Sequence, residues 1–207
     1  LINKISKEYG FSYVDLDILT YSNHKVLSVN TTIEVIDAKD KDRMQFLSPL
    51  RNGHKIWPRK HDLVDNMQTY QAATFQLLLA RKLEISGKPC PVYHCLAGFD
   101  DPKLAKKFAA LHAAEQEKNL IFRTMKTDPD PERRAAAIFL MGHFKDPKEI
   151  ITIATRFTKD SDSGVRNAAM RVISETMEHA KIYDVDVMPF IQFLESPYAT
   201  DRNKALA

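Results

Sequence analysis

Glycine is scarce in this chain, with six residues in 207. A phosphate-cradling loop, which needs backbone free of Cβ atoms, is hard to build from so few. The motifs of nucleophilic and metal-assisted hydrolysis are missing too: there is no G-x-S-x-G and no H-E-x-x-H. No apolar run approaches the roughly 20 residues that span a bilayer. The longest, "AATFQLLLARKL", is broken by Arg81 and Lys82. Charge of one sign is also lacking. A formal net charge of +3 is too small to argue for nucleic acid by itself. What remains is 44% hydrophobic and 28% charged, a folded globular composition rather than a disordered one, with length for one large domain or two small ones.

Cysteine occurs twice, as Cys90 and Cys95 in "PCPVYHC". Three readings stand. Two small buried thiols are the ordinary state in a reducing cytosol. A disulfide can close if the backbone folds back. A metal pair with His94 lacks the second Cys/His pair that a four-ligand site needs. No metal and no cofactor is therefore expected. Cys95 beside His94 does not make a catalytic pair, because adjacent side chains point apart. His112, His143 and His179 fall on expected helices as packed or partly exposed residues, and Asp128, Asp130, Asp160 and Asp162 fall at helix starts, where capping explains them.

The first sixty residues read as mixed α/β. "LINKISKEYG" is a short helix stopped by Gly10, "FSYVDLDIL" and "VLSVNTTIEVI" alternate as strands, and Ser22-Asn23 carries turn chemistry between them. A hairpin this small needs helices on its apolar face, the long helix that follows included. That helix is expected over 62–86, with Asp62 as N-cap and Gly87 as stop. "GKPCPVYHCLAGFDDP" is a structured connecting loop, and Asp101-Pro102 opens the next helix. Beyond it the sequence carries no strand signal.

"RNGHKIWPRKH" groups Arg51, Lys55, Arg59 and Lys60 around Trp57. Cations with an interleaved aromatic can hold phosphate or a base; a basic loop with its tryptophan tucked against the core is the plainer alternative.

The second half repeats itself. "DPERRAAAIFLM" (130–141) and "DSGVRNAAMRVI" (162–173) superpose with Arg134 on Arg166, Ala136 and Ala137 on Ala168 and Ala169, and Leu140 on Val172. Near the end Arg202 and Asn203 fall on Arg166 and Asn167, after a longer interval whose extra residues belong in the intervening turn. A second helix lies between the copies, "PKEIITIATRFTKD" and then "VDVMPFIQFLES". A two-helix unit cannot bury its own apolar faces; stacked on its neighbour it can, and recurrence at this period marks an α-solenoid. Arg134, Arg166 and Arg202, with Asn167 and Asn203, then read as a ladder, each arginine pairing an acid or the open carbonyls of a neighbouring repeat. The fold expected is α+β: a small N-terminal α/β hairpin domain over 1–61, a long helix and connecting loop over 62–100, and an all-α solenoid over 101–207.

"DPDPERRAAAIFLMGHFKD" and "DSDSGVRNAAMRVI" resemble HEAT repeats of the short variety named after phycobilisome lyases, over about 128–207 with weaker reach back to 101. "EYGFSYVDLDIL", "TTIEVID", "CPVYHC" and "TDRNKAL" together resemble exported bacterial proteins that end in HEAT repeats. That resemblance implies a secreted or periplasmic setting, favours the Cys90–Cys95 bridge and implies no reaction; residues alone leave a cytoplasmic setting open. The chain starts at Leu1, which a removed leader or a truncation explains equally, and "DRNKALA" stops as a helix pattern opens, so the solenoid is expected to continue. The function expected is a non-catalytic protein- or peptide-binding scaffold using exposed residues around 148–159 and 187–195. The competing expectation is a polyanion-binding or enzymatic protein using loop 51–61 and the repeat arginines.

Overall fold

The structure is a computed structural model. It describes residues 1–23, 26–44, 61–83 and 87–206, the side chains of 17–30 excepted. Contacts divide the chain into two units, Leu1–Phe46 with Gln192–Leu206, and Leu47–Ile191. One division falls at 191/192.

In the first unit, α1 (Ile2–Tyr9) ends at Gly10, whose φ of 71° is the left-handed closure that glycine adopts freely. Strands β1 (Phe11–Asn23) and β2 (Val26–Asp37) form an antiparallel ribbon, with Val14 opposite Val35 and Leu16 opposite Ile33. The strand runs through Ser22 and Asn23, which pair with Leu27 and Val26, so these two residues lie in the ladder and not in the turn expected there. Ladder pairing outweighs the local turn preference of those two residues. The charge run after β2 winds into a 3-10 helix, Ala38–Arg43, capped by the Asp37 carboxylate on the Lys39 amide at 3.1 Å. The last segment of the chain, Gln192–Leu206, belongs to this unit. There the Ala199 amide donates to Glu34 Oε2 at 3.1 Å, and Tyr198 meets Tyr13 edge-on.

The second unit is helical. Helix α2 (Leu63–Leu79) opens on a reciprocal capping box between Asp62 and Asp65. It stops short of the expected Gly87, because Arg81 takes a left-handed φ of 53° while the Lys82 amide donates back to the Leu77 carbonyl at 2.8 Å. This is the closure usually made with glycine. After the cysteine loop come α3 (Ala105–Ala110), a 3-10 turn over Leu111–Glu115, and α4 (Lys118–Thr127). The start expected at Asp101 is a turn instead, with Asp101 buried and accepting from the Lys103 amide at 2.8 Å.

The repeats follow. Helix α5 (Pro131–Leu140) extends into a 3-10 turn to His143, and α6 (Pro147–Ala154) into another to Lys159. Helix α7 (Ser163–Ala180) is followed by α8 (Met188–Ile191), and α9 (Ala199–Ala205) lies in the first unit. Asp130, Asp146 and Asp162 cap α5, α6 and α7 with their carboxylates, and proline holds the first turn of the first two. Helix α5 is the hub. It packs on α2, α4 and α7, and its run from Ala136 to Leu140 is buried on every side. Alanines at 136, 137, 168 and 169, all at 0% exposure, leave room for the α5 and α7 backbones to approach.

Candidate functional site

Two structural features recur where each repeat begins. In the first copy, Asp128 accepts from the Asp130 amide at 3.1 Å, and Arg134 Nη1 donates to the Asp128 carbonyl at 3.0 Å. In the second, Asp160 accepts from the Asp162 amide at 2.9 Å, and Arg166 Nη1 donates to the Asp160 carbonyl at 2.8 Å. In the third, Ser196 Oγ accepts from the Tyr198 amide at 3.2 Å, and Arg202 Nη1 donates to the Ser196 carbonyl at 2.6 Å. Each arginine thus ties down the turn that leads into its own helix. Arg134 Nε and Nη2 also clasp the Asp160 carboxylate of the next repeat at 3.0 and 2.8 Å. A planar guanidinium suits this double contact, and the buried carboxylate offsets the cost of burying the cation. Asn167 is half-buried on α7, and Asn203 is exposed on α9.

Arg133 contacts three carboxylates. Its guanidinium donates to Asp128 at 3.0 Å, to Asp62 at 2.9 Å and to Asp65. Burial works against the charge, but these hydrogen bonds and the facing Asp62 charge prevail and raise its pKa. Asp62 is held below its usual range by the Asp65 amide and Arg133, against its own burial. The contact joins the start of α2 to the start of α5 across a long sequence separation. An arginine beside an arginine carries no local signal of that.

Cys90 and Cys95 form a disulfide with Cα atoms 5.8 Å apart. The small loop it closes lies flush on the repeats. The Tyr93 amide donates to the Gly142 carbonyl at 2.9 Å, and a Cβ on Gly142 would sit 2.6 Å from the His94 Cβ. His94 is 2% exposed, stacks on Phe139 and holds Glu175 through Nδ1 at 2.6 Å. Although burial opposes it, that hydrogen bond keeps the Glu175 carboxyl below its ordinary range. A second imidazole, His143, meets His112 through their Nδ1 atoms at 3.1 Å; one ring donates and the other accepts. Burial, then the neighbouring His112 and His94, push His143 down to about 3, so it is neutral at ordinary pH. The sequence reads His112 and His143 as packed or partly exposed; His143 is buried and His112 exposed, and the seating of His94 by the disulfide loop carries no such local signal. Among the described residues, no group of His, Cys, Asp and Glu is arranged to hold a metal.

Among the described residues, a cleft of about 420 Å³ lies between α6 and the irregular stretch after α7. Ile151, Ile182 and Val185 line it, with Lys148, Asp184 and Asp186 at its polar edge. Its second wall follows from how α7 ends. Lys181 turns left-handed at φ 54°, and the Ile182 amide donates back to the Met177 carbonyl at 3.0 Å, seating Ile182 against the core. The chain then has no regular structure until α8. This stretch belongs to the second repeat, the one with the longer interval. The first repeat joins its helices through 144–146, and the second through 181–187.

Of the residues singled out beforehand, Arg51, Lys55, Trp57, Arg59 and Lys60 lie outside the described residues. Arg134 and Arg166, at 4% and 0% exposure, are closed to a polyanion in the folded chain.

Helix pairs recurring with the same cap, the same arginine and the same alanine contact are now in view. Residues 119–206 match the family of HEAT repeats. The matched segment runs from α4 to α9, and over it the chain is similar to HEAT repeats. No curated protein and no solved structure matches the chain. Among the described residues, no helix is long and apolar enough to cross a membrane.

Proposed function

We propose that the HEAT-repeat segment is a non-catalytic interaction surface, and that its contact region is α6 with the stretch 181–191. HEAT repeats commonly mediate contacts between proteins. The observation that carries the location is a concentration of exposed apolar side chains: Tyr183 at 74%, Val187 at 58%, Met188 at 65% and Ile191 at 48%. Single exposed apolar residues are ordinary, but a cluster within one short segment is the mark of a surface that another molecule covers. The histidines and ladder arginines serve the fold in this reading, since they are buried or already paired. The resemblance to the phycobilisome-lyase variety is taken for repeat type alone, and no chromophore chemistry is proposed. A setting outside the cytosol fits the Cys90–Cys95 bridge, because disulfides persist in oxidising compartments.

The test is site-specific photo-crosslinking in the native compartment, with the photoreactive residue at Met188 or, as a control, at Lys126. A defined protein adduct from position 188 alone, lost in the Tyr183→Asp/Met188→Asp variant at unchanged melting temperature, is the expected result. The association is expected to persist at about 0.5 M salt, where phosphate-driven binding collapses. Equal adducts from both positions, or full competition by heparin, would reject the reading.

A further inference from the structure

We infer that the α6 cleft takes an extended peptide with an apolar side chain flanked by lysine or arginine, held in part by main-chain pairing to residues 183–186. The inference rests on the interaction reading above and goes beyond it to the chemistry of the partner.

Shape and apolarity come first. Ile151 is 7% exposed and forms floor rather than rim, with Ile182 and Val185 half-buried beside it. The volume of about 420 Å³ accommodates a large side chain and its neighbours, within the range of ordinary ligand clefts.

The second observation concerns the backbone. The stretch after Ile182 has no regular structure until α8. Among the described residues, the amides of Tyr183, Asp184, Val185 and Asp186 donate no hydrogen bond to the chain, and their carbonyls accept none. Its neighbours are occupied: the Ile182 amide bonds to Met177, the Met188 amide to Asp186 Oδ1 at 3.0 Å, and the Val187 carbonyl accepts from Phe190 and Ile191. Irregular backbone with open donors and acceptors beside an apolar trough can receive an added strand. A small molecule or a helical partner would leave those groups unpaired.

Charge sets the sign of the partner. Asp184 and Asp186 face one cation, Lys148, and among the described residues no ion pair occupies any of the three. The cleft is thus net acidic in a chain whose formal charge is +3. An acidic edge repels a polyanion and steers a basic segment toward the trough.

The experiment uses the full 207-residue chain and a fluorescein-labelled hexapeptide, Gly-Lys-Ile-Phe-Arg-Gly, blocked at its C-terminus, read by anisotropy. One control replaces both basic residues by glutamate; another N-methylates the central amides. Saturable binding of the basic peptide is expected, at least tenfold weaker for each control. Asp184→Lys should weaken it at least tenfold, and Lys148→Glu should tighten it about threefold. Both side chains are exposed, so both variants should fold. Equal binding of the basic and acidic peptides, or a loss of binding in Lys148→Glu, would overturn the inference. If neither peptide binds while the Met188 adduct still forms, this partner chemistry is wrong and the interaction reading survives. If the adduct is missing as well, both fall.

Discussion

Arg134 and Asp160 meet through two parallel hydrogen bonds, 3.0 and 2.8 Å long, between side chains that are each less than a tenth exposed. The pair links the start of one repeat to the start of the next. Removing one partner leaves the other charge buried without compensation, which typically costs about 3–5 kcal/mol. Asp160→Ala should lose that much in urea unfolding. Arg134→Leu/Asp160→Ala should lose clearly less than the two single variants summed. A single-variant loss below about 1 kcal/mol would show that the clasp does not hold the repeats together.

The alanines give an independent check on the stack. Ala137 on α5 and Ala169 on α7 are both fully buried, on helices that pack against each other. Ala137→Glu or Ala169→Glu places a carboxylate where neither water nor a cation can follow. Each should abolish cooperative melting or lower stability by more than about 4 kcal/mol. Parental melting in either variant would refute the helix-face assignment.

Much of this architecture is legible because it is local and repeated. Asp130, Asp162 and the arginines that follow them sit in matched frames, and the alanines mark the close faces. The change of interval between the second and third arginines points to the inserted stretch 181–187, the second wall of the cleft. The helix ends at Arg81 and Lys181 are illegible for a specific reason: both adopt left-handed backbone without glycine, so the usual stop signal is missing. The Arg133 clamp and the seating of His94 are illegible for another. Each depends on partners far away in sequence, Asp62 and Asp65 in one case and Gly142 and Glu175 in the other. The choice between thiols and a bridge at Cys90 and Cys95 turns on backbone path, which spacing leaves open.

Gly142 offers a test of how tightly the cysteine loop is seated. A Cβ there would stand 2.6 Å from the His94 Cβ and 3.0 Å from both the His94 amide nitrogen and carbonyl oxygen. Two of these obstacles are backbone, so no rotamer change relieves them. Gly142→Ala should cost about 1–3 kcal/mol, the usual range for overpacking. It should also shift the His94 ring resonances, since the loop must lift. Unchanged His94 resonances would contradict the close packing.

Reducing the bridge acts on the same loop from the other side. Closing so short a ring restricts the unfolded chain by about 2 kcal/mol on the loop-entropy model. Dithiothreitol, or Cys90→Ser/Cys95→Ser, should lower the midpoint in urea accordingly and speed amide exchange at Tyr93, whose N–H is bound to the Gly142 carbonyl. Identical exchange in both redox states would mean the repeats hold the loop unaided.

His143 gives the fold a pH dependence whose direction can be worked out. Its folded value is about 3 against an ordinary 6.5, depressed by burial and by His112 and His94. The unfolded chain therefore binds a proton that the folded chain refuses. The associated stability is fully present above the unfolded value and is lost as pH falls from about 6.5 toward 3. The slope in that window is at most about 1.4 kcal/mol per pH unit for one proton. Buried carboxylates such as Glu175, also depressed, add a loss of the same sign at lower pH, so the wild type alone does not isolate the imidazole. The comparison with His143→Gln does. The stability difference between the two proteins should be constant above pH 7 and should shrink steadily from pH 6 to pH 4, because only the wild type carries the histidine. Parallel curves across that range would mean that His143 is protonated as easily in the fold as out of it, and that the contact with His112 is not between neutral rings.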